Sequence, residues 1–273
     1  LIIRVTRCRA TCPSLRGPPP AWRNHQFRTN GTMCMSELRD LVIDAHGGIA
    51  RWNKVKTIEG DMSITGGLWA RKGWPDVLKN VHVTAATGNQ WISYQPFINE
   101  TMRSSCTPDL TMIEMLDGKP VKDRKNPRAA FAGHTVETPW DDLNLAYFSG
   151  YAMWNYLTTP FIFALPDFHT EEIEPWDENG EKRRRLKVTF PDHIATHCAE
   201  QVYHINGEGL ICRLDYSAPV AGGAPTAHYL SDHRDFDGIR VATKRRALRR
   251  KADGTALPDP VFVAIDIAQL SFS

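Results

Sequence analysis

Residues 138–163 read TPWDDLNLAYFSGYAMWNYLTTPFIF, and this stretch decides the fold. Thr138 followed by Pro139 is typical of a helix start with Thr138 as the N-cap, and Thr159-Pro160 is typical of a helix end. Between them, apolar and aromatic residues occupy every side of the predicted helix instead of one stripe. A helix that is apolar all round is usually buried. The stretch therefore predicts a buried, aromatic-rich helix.

The segments on both sides of this helix alternate between apolar and polar residues, which is typical of half-buried strands. The alternation is clear in residues 58–64 before the helix and in residues 186–190 after it. Residues 201–216 and 227–249 each predict a hairpin, the second across Asp237-Gly238. Strands come in two runs and do not alternate with helices. We therefore predict a mainly β (α+β) fold, in which a large curved antiparallel sheet, a half-barrel, wraps around the buried helix.

The first 34 residues differ in composition from the rest of the chain. They contain no acidic residue and include the run Pro18-Pro19-Pro20. Met35-Ser36-Glu37 resembles a natural start followed by a helix cap. Residues 1–34 are interpreted as a basic N-terminal arm, either upstream sequence or residues added for expression, and residues 35–273 as a single half-barrel domain. A transit-like peptide and an arm for an acidic partner are the alternatives.

Composition excludes some classes of protein and predicts a location. The net charge of +2 argues against a dedicated nucleic-acid-binding protein. No apolar run approaches the ~18 residues that predict a membrane span, and no secretory signal peptide is recognised. The 6 cysteines form no metal-like Cys-x-x-Cys pair, which favours free thiols in a reducing compartment. These observations predict a cytoplasmic location, or a periplasmic one only if an upstream signal is missing from this chain.

Acids and histidines are candidates for an acid/base site. The sequence contains no Gly-x-Ser-x-Gly elbow, so a serine hydrolase of that type is not indicated. Asp141 is explained as a capping carboxylate near the helix start, which leaves Asp142 freer to act. Four residues form an acid/base site if the fold brings them together: Asp142, His134, His228 and His233.

An oxygen-rich turn is the candidate metal site. Asp232, Asp235 and Asp237 supply about half of the six to eight oxygens that Ca²⁺ prefers, although their spacing does not match an EF-hand loop. The alternative is a polar hairpin in which Asp237-Gly238 simply makes the turn. A weaker zinc hypothesis uses three histidines: His193, His197 and His204.

Aromatic residues with polar groups are candidates for lining a cavity. Tyrosine and tryptophan need hydrogen-bond partners when buried, and a pocket with a few polar groups among aromatic rings is typical of ligand sites. The candidate lining consists of Trp69, Trp74, Tyr147, Tyr151 and Trp154. The alternative is that these residues only fill the core. Two basic stretches, Lys182–Arg185 and Lys244–Lys251, are solvated strand edges or hold an anionic head group at a cavity mouth.

Three segments carry a resemblance to known proteins: Ala45–Trp52, Phe131–Phe163 and His228–Arg234. Through them the chain resembles a widespread group of uncharacterised bacterial proteins. The order of its elements also resembles the lipoprotein-carrier fold of the outer-membrane sorting proteins, an open half-barrel lined by apolar side chains. Those carriers are exported, whereas no export signal is recognised here.

Three functions follow as hypotheses. The first is binding of an apolar or amphiphilic, fatty-acyl or lipid-like ligand in the half-barrel. The second is a metal-assisted hydrolase of an ester or lactone, such as an acyl homoserine lactone, in which Ca²⁺ polarises the carbonyl. The third is a structural protein that binds a partner through its basic arm. The sequence ranks the first above the second and leaves the oligomeric state open.

Overall fold

The computed structural model of the chain describes residues 37–273. The predicted N-terminal arm, the Ser36 cap and three of the cysteines (Cys8, Cys12 and Cys34) lie outside the described residues.

Four α-helices and thirteen strands make up the described residues. The helices are α1 (Glu37–Ala45), α2 (Ile49–Trp52), α3 (Gly67–Arg71) and α4 (Asp142–Thr158). Short 3₁₀ helices span Pro127–Phe131, Phe161–Ala164 and Pro219–Ala221. The strands are β1 (Thr57–Thr65), β2 (Val81–Ala86), β3 (Trp91–Gln95), β4 (Met102–Cys106), β5 (Leu110–Met115), β6 (Pro120–Lys125), β7 (His169–Glu178), β8 (Glu181–Thr189), β9 (Glu200–Ile205), β10 (Ile211–Ser217), β11 (Pro225–Phe236), β12 (Ile239–Arg249) and β13 (Val263–Phe272).

All thirteen strands form one antiparallel sheet in the order β6-β5-β4-β3-β2-β1-β13-β12-β11-β10-β9-β8-β7. Strands that follow each other along the chain are neighbours in the sheet, except β6 and β7. The last strand, β13, pairs with β1 and so joins the two runs of strands. Within residues 37–273 the end strands β6 and β7 do not pair with each other, so the sheet is open. The predicted fold, a half-barrel around a helix, is confirmed.

Turn chemistry explains the longest hairpin. β11 and β12 are joined by Asp237-Gly238, whose φ angles are +53° and +82°. Two positive φ angles are what a tight turn between twisted strands requires, and Asp-Gly supplies them. The alternative interpretation, a polar hairpin in which Asp237-Gly238 makes the turn, is therefore sufficient to account for the sequence.

The central helix is buried along its whole length. Every residue from Leu143 to Thr158 is buried, and the helix ends before Pro160 as predicted. Its start is not where the sequence indicated, because Asp141, and not Thr138, is the N-cap. The Asp141 carboxylate accepts from the Asn144 backbone N–H at 2.7 Å, and the Asn144 side-chain oxygen accepts from the Asp141 N–H at 3.3 Å. This reciprocal pair satisfies two donors at the helix start.

Helix α4 packs on the sheet face that we call the inner face. The Tyr94 hydroxyl of β3 donates to the Ser149 carbonyl at 2.9 Å, and the Trp154 indole N–H donates to the Ala86 carbonyl at 2.8 Å. Gly150 is the point of closest approach, since a Cβ there would lie 2.6 Å from the Cys106 Cβ of β4. The helix thus packs on the inner face over β2, β3 and β4.

The end strands are the elements that the sequence did not reveal. β6 is exposed at five of its six positions, and β7 is mostly exposed. Without a buried face, neither has the apolar alternation on which strand prediction depends. Within residues 37–273, none of the helices combines the length and apolarity that crossing a bilayer requires.

Candidate functional site

A pocket of about 450 Å³, counting its open mouth, lies between the end of α4 and the inner face of β9–β12. Most of its wall is apolar, and its polar groups come from four basic residues, two tyrosines and one threonine. We call it the polar pocket. Its lining consists of His46, Tyr156, Leu157, Thr159, Phe161, Tyr203, Ile211, Leu214, Leu230, His233, Arg240, Val241, Ala242 and Arg245.

Arg245 is the buried charge of this pocket. It lies on β12 opposite Leu230 of β11 and Ile265 of β13, and its side chain is 5% exposed. Its guanidinium carbon lies 4.4 Å from the ring centroid of Tyr156, a cation–π contact. The Arg245 Nε has no hydrogen-bond partner, and the side chain forms no ion pair with any residue in 37–273. Burial lowers the pKa of this guanidinium to about 10.

Three further basic residues line the polar pocket: His46, His233 and Arg240. The rings of His46 and His233 meet edge to face at 6.2 Å. Burial lowers the pKa of His46 to about 4 and that of His233 below its usual value, and the Arg245 charge adds to both effects. Arg240 is half-exposed and pairs loosely with Glu208, at 3.9 Å. The residues that line the pocket include no carboxylate, so its potential is positive.

A second, apolar pocket of about 320 Å³, again counting its mouth, lies between α4 and strands β1 and β13. Tyr156 contributes to the walls of both pockets, so the two spaces adjoin at this ring. We call this space the apolar pocket. It is lined by Ile64, Trp69, Tyr94, Phe148, Ser149, Ala152, Met153, Tyr156, Tyr216, Val263 and Ile265.

A cluster of rings holds Tyr156 in place. Its hydroxyl lies 2.8 Å from His197 Nε2 and 3.3 Å from the Tyr216 hydroxyl. His197 stacks on Tyr216 with centroids 4.2 Å apart, and the Tyr151 hydroxyl lies 3.1 Å from its Nδ1. Burial lowers the pKa of His197 to about 3. Both nitrogens of the neutral His197 imidazole have a hydroxyl group as hydrogen-bond partner. The contact with His197 therefore fixes the orientation of the Tyr156 ring, which lies between the two pockets.

The structure brings together two of the four acid/base candidates. His228 contacts the Tyr156 ring at 4.9 Å, and His233 lines the polar pocket, so both lie around Arg245. Neither nitrogen of His228 has a hydrogen-bond partner in the described part of the chain, and burial holds its pKa well below the usual range.

The other two candidates lie elsewhere. Asp142 forms an ion pair with Lys122 of β6 at the start of α4. His134 packs edge to face on Phe131, 5.3 Å between centroids. Neither residue contributes to the walls of the polar or the apolar pocket.

Two of the three aspartates proposed for calcium have protein partners for their carboxylates, and the third lies in the turn. Asp232 accepts from Arg234 at 2.9 Å and from the Thr243 hydroxyl at 3.0 Å. Asp235 accepts from the Gly238 N–H at 2.9 Å, and Asp237 forms the turn itself. Within residues 37–273, no group of three or more histidine, cysteine or acidic side chains is arranged to hold a metal ion.

The zinc alternative has no more support. His197 belongs to the ring cluster beside Tyr156, whereas His204 lies 3.2 Å from Asp215 on β10.

The predicted lining residues divide into two sets. Trp69 lines the apolar pocket. Trp74 donates its indole N–H to the Trp140 carbonyl at 2.8 Å, and Tyr147, Tyr151 and Trp154 pack in the core without contributing to either pocket wall.

Sequence reasoning missed Arg245, His46 and the position of Tyr156 between the pockets. Arg245 belongs to a basic stretch that reads as a solvated edge, and its neighbours Lys244 and Arg246 do point to the other face. The available signal is the period of two, since Arg245 shares its face with buried Thr243 and Ala247.

Neither a protein-family model nor a curated protein sequence matches this chain. Its structure is similar to a putative outer-membrane lipoprotein-sorting protein domain from Vibrio parahaemolyticus, with a TM-score of 0.50, 8% identity and coverage of 87% of this chain and 91% of that chain. The chain has the lipoprotein-carrier fold, and the architectural resemblance is confirmed. Other similar structures are a DUF1329 family protein from Desulfovibrio piger (TM-score 0.48, 12% identity, 86% and 92% coverage) and a LolA superfamily protein from Nitrosomonas europaea (TM-score 0.46, 10% identity, 85% and 92% coverage).

The prediction of a cytoplasmic location is wrong. The finding that overturns it is the lipoprotein-carrier fold, which this chain shares with the Vibrio domain named for outer-membrane lipoprotein sorting. The prediction rested partly on thiols that remain free. Cys106, Cys198 and Cys212 are indeed unpaired in the described residues, but an isolated thiol stays unpaired in either compartment when no second cysteine lies within reach.

Proposed function

We propose that this protein binds a single-chain amphiphile, with the apolar chain in the apolar pocket and the polar end in the polar pocket. The observation that carries the proposal is the position of Tyr156, whose ring belongs to both walls. A ligand that lies against Tyr156 therefore meets a largely apolar lining on one side and a basic lining on the other.

The chemistry of the apolar pocket supports an acyl chain. Its walls are aliphatic and aromatic side chains, such as Ile64, Met153 and Ile265, that make no directional demands on a ligand. Burying methylene groups there contributes about 0.8 kcal/mol per CH₂ removed from water. The Vibrio domain of similar fold is named for lipoprotein sorting, which is in keeping with an apolar ligand.

No specific observation favours the hydrolase hypothesis. It needs Asp142 and His134 beside His228 and His233, and the contacts of the first two lie outside both pockets. Binding without turnover is the function that the geometry supports best.

Fluorescence titration with dansyl-labelled undecanoic acid tests the proposal. We expect saturable binding to the wild-type protein, accompanied by a blue shift as the dansyl group leaves water. Val263 is partly buried at the wall of the apolar pocket, so Val263→Trp fills the space and is expected to weaken binding at least tenfold.

The matched control is Leu257→Trp, which adds the same ring at an exposed position outside both pockets and is expected to bind as the wild type does. Thermal unfolding of each variant establishes that it is folded. A wild-type protein that binds no probe, or a folded Val263→Trp variant that binds it unchanged, contradicts the proposal.

A further inference from the structure

The polar pocket contains a cation that the protein leaves without a counter-charge. Arg245 is 5% exposed, its Nε has no hydrogen-bond partner, and it forms no ion pair in the described residues. A largely buried guanidinium that has gained no acceptor from the protein is unfavourable, since arginine is almost never fully buried unless it is paired.

The same chain pairs another buried arginine fully. Arg213 lies on β10 with its side chain 0% exposed, and it bonds to both oxygens of Asp215 at 2.7 and 3.0 Å and to Glu178 at 2.7 Å. Two carboxylates and the Gly254 carbonyl therefore neutralise and saturate this guanidinium. In contrast to Arg213, Arg245 is a buried guanidinium that lacks a hydrogen-bond acceptor among the described residues.

The surroundings of Arg245 indicate which chemical group would pair with it. Tyr156 covers one side of the guanidinium, and the walls of the pocket carry His46, His233 and Arg240 but no acid. A planar guanidinium presents parallel N–H donors that match the oxygens of a carboxylate or a phosphate in a bidentate arrangement. The adjoining apolar pocket begins at the same Tyr156 ring.

We infer that Arg245 binds the anionic head group of the ligand, an oxyanion of the carboxylate or phosphate-monoester class. The inference rests on the proposed function, because the head group enters as one end of the amphiphile. Arg245 donates two hydrogen bonds to the oxyanion, Tyr156 holds the guanidinium from one side, and the chain continues into the apolar pocket.

Isothermal titration with three probes that share one chain tests this inference: decanoic acid, decanol and decyl phosphate. For the wild-type protein we expect the acid or the phosphate to bind about ten- to a hundredfold more tightly than the alcohol, the range set by charge-assisted hydrogen bonds at a buried site. Preference for decanoic acid over decyl phosphate identifies a carboxylate as the natural head group, and the reverse preference identifies a phosphate.

Arg245→Met isolates the guanidinium while keeping an unbranched apolar stem of similar length. We expect this variant to lose the preference of the wild type for the anions over decanol. Lys244→Met is the matched control: it removes the same charge one residue away, from an exposed side chain on the other face, and is expected to retain the preference.

The outcomes separate the two proposals. If decanol binds the wild type as tightly as the anions do, or if folded Arg245→Met keeps the preference, the head-group inference is wrong and amphiphile binding stands. If none of the three probes binds, amphiphile binding itself fails and the inference fails with it. Circular dichroism of each variant confirms that a lost preference is not a lost fold.

Discussion

The Arg245 guanidinium carbon lies 4.4 Å from the centre of the Tyr156 ring, and no residue in 37–273 forms an ion pair with this buried charge. A cation–π contact contributes about 2 kcal/mol when desolvated, less than the several kcal/mol that burying an ion costs. The unliganded protein therefore retains Arg245 at the expense of its own stability.

Replacing Arg245 by methionine is expected to stabilise the unliganded protein by about 1–3 kcal/mol, because an apolar side chain of similar shape removes the desolvation cost. Urea denaturation at neutral pH measures this change. Lys244→Met, at an exposed position, is expected to stay within about 0.5 kcal/mol of the wild type. A destabilised Arg245→Met would mean that the arginine serves the fold instead of a ligand.

Arg213 is expected to respond in the opposite direction. Arg213→Met removes the guanidinium that pairs with both Asp215 and Glu178. Each acid keeps another partner, His204 or Arg183, and we expect a cost of about 3 kcal/mol. The matched control is Arg184→Met, since Arg184 and its partner Glu172 are 42% and 39% exposed and such a pair contributes about 0–1 kcal/mol. Equal losses in urea denaturation for the two variants would contradict this account of the two arginines.

The comparison of these arginines also explains what sequence can and cannot predict. Helix α4 is predictable because its burial is recorded in its composition, and the hairpin at Asp237-Gly238 because a positive φ selects its residues. The sequence next to a charged residue does not show which residues will pair with it in the folded protein. Glu178 pairs with Arg213 although the two residues are 35 positions apart in the chain. The sequence around Arg245 likewise does not show that this arginine lacks an acidic partner in the described part of the fold.

Gly150 is where helix α4 lies closest to the sheet, so its substitution probes that packing. Alanine usually stabilises a helix relative to glycine by about 1 kcal/mol. Here a Cβ would lie 2.6 Å from the Cys106 Cβ and 3.3 Å from a methyl carbon of Ile92, so we expect Gly150→Ala to destabilise the protein by about 1–3 kcal/mol. The midpoint of thermal unfolding reports the change.

The control for this substitution is Gly207→Ala in the turn between β9 and β10. A Cβ at Gly207 meets nothing within 4 Å, so this variant is expected to unfold close to the wild-type temperature. A Gly150→Ala variant as stable as the wild type would show that α4 can move away from β4.

Lys72 stabilises the loop that precedes α4 through hydrogen bonds. Its side chain is fully buried, and its ammonium donates to the carbonyls of Thr135, Val136 and Thr138 at 2.9, 2.8 and 3.0 Å. Lys72→Met leaves these three acceptors without their donor, and we expect a loss of about 2–3 kcal/mol. Hydrogen exchange should rise in residues 132–141 more than elsewhere, whereas an unchanged exchange rate there would contradict the role of Lys72.

Buried histidines make the stability of this protein sensitive to acid. Burial lowers the pKa of His46 to about 4, that of His197 to about 3, and that of His228 well below its usual value. In the unfolded chain each ring takes up a proton near pH 6.5. Their contribution to stability is therefore complete above pH 6.5 and is lost as the pH falls from 6.5 towards 4, by about 1.4 kcal/mol per pH unit for each histidine.

Urea denaturation between pH 7.5 and 5 measures this slope, and a variant assigns part of it. His228 has no hydrogen-bond partner for either nitrogen in the described residues and packs between rings, so His228→Phe should fold and should reduce the slope by the share of one proton. The exposed His169→Gln is the control and should leave the slope unchanged. His228→Phe leaves the carboxylates in place, so the difference between its slope and that of the wild type isolates His228. Identical slopes for these two proteins would mean that this imidazole can be protonated inside the folded protein.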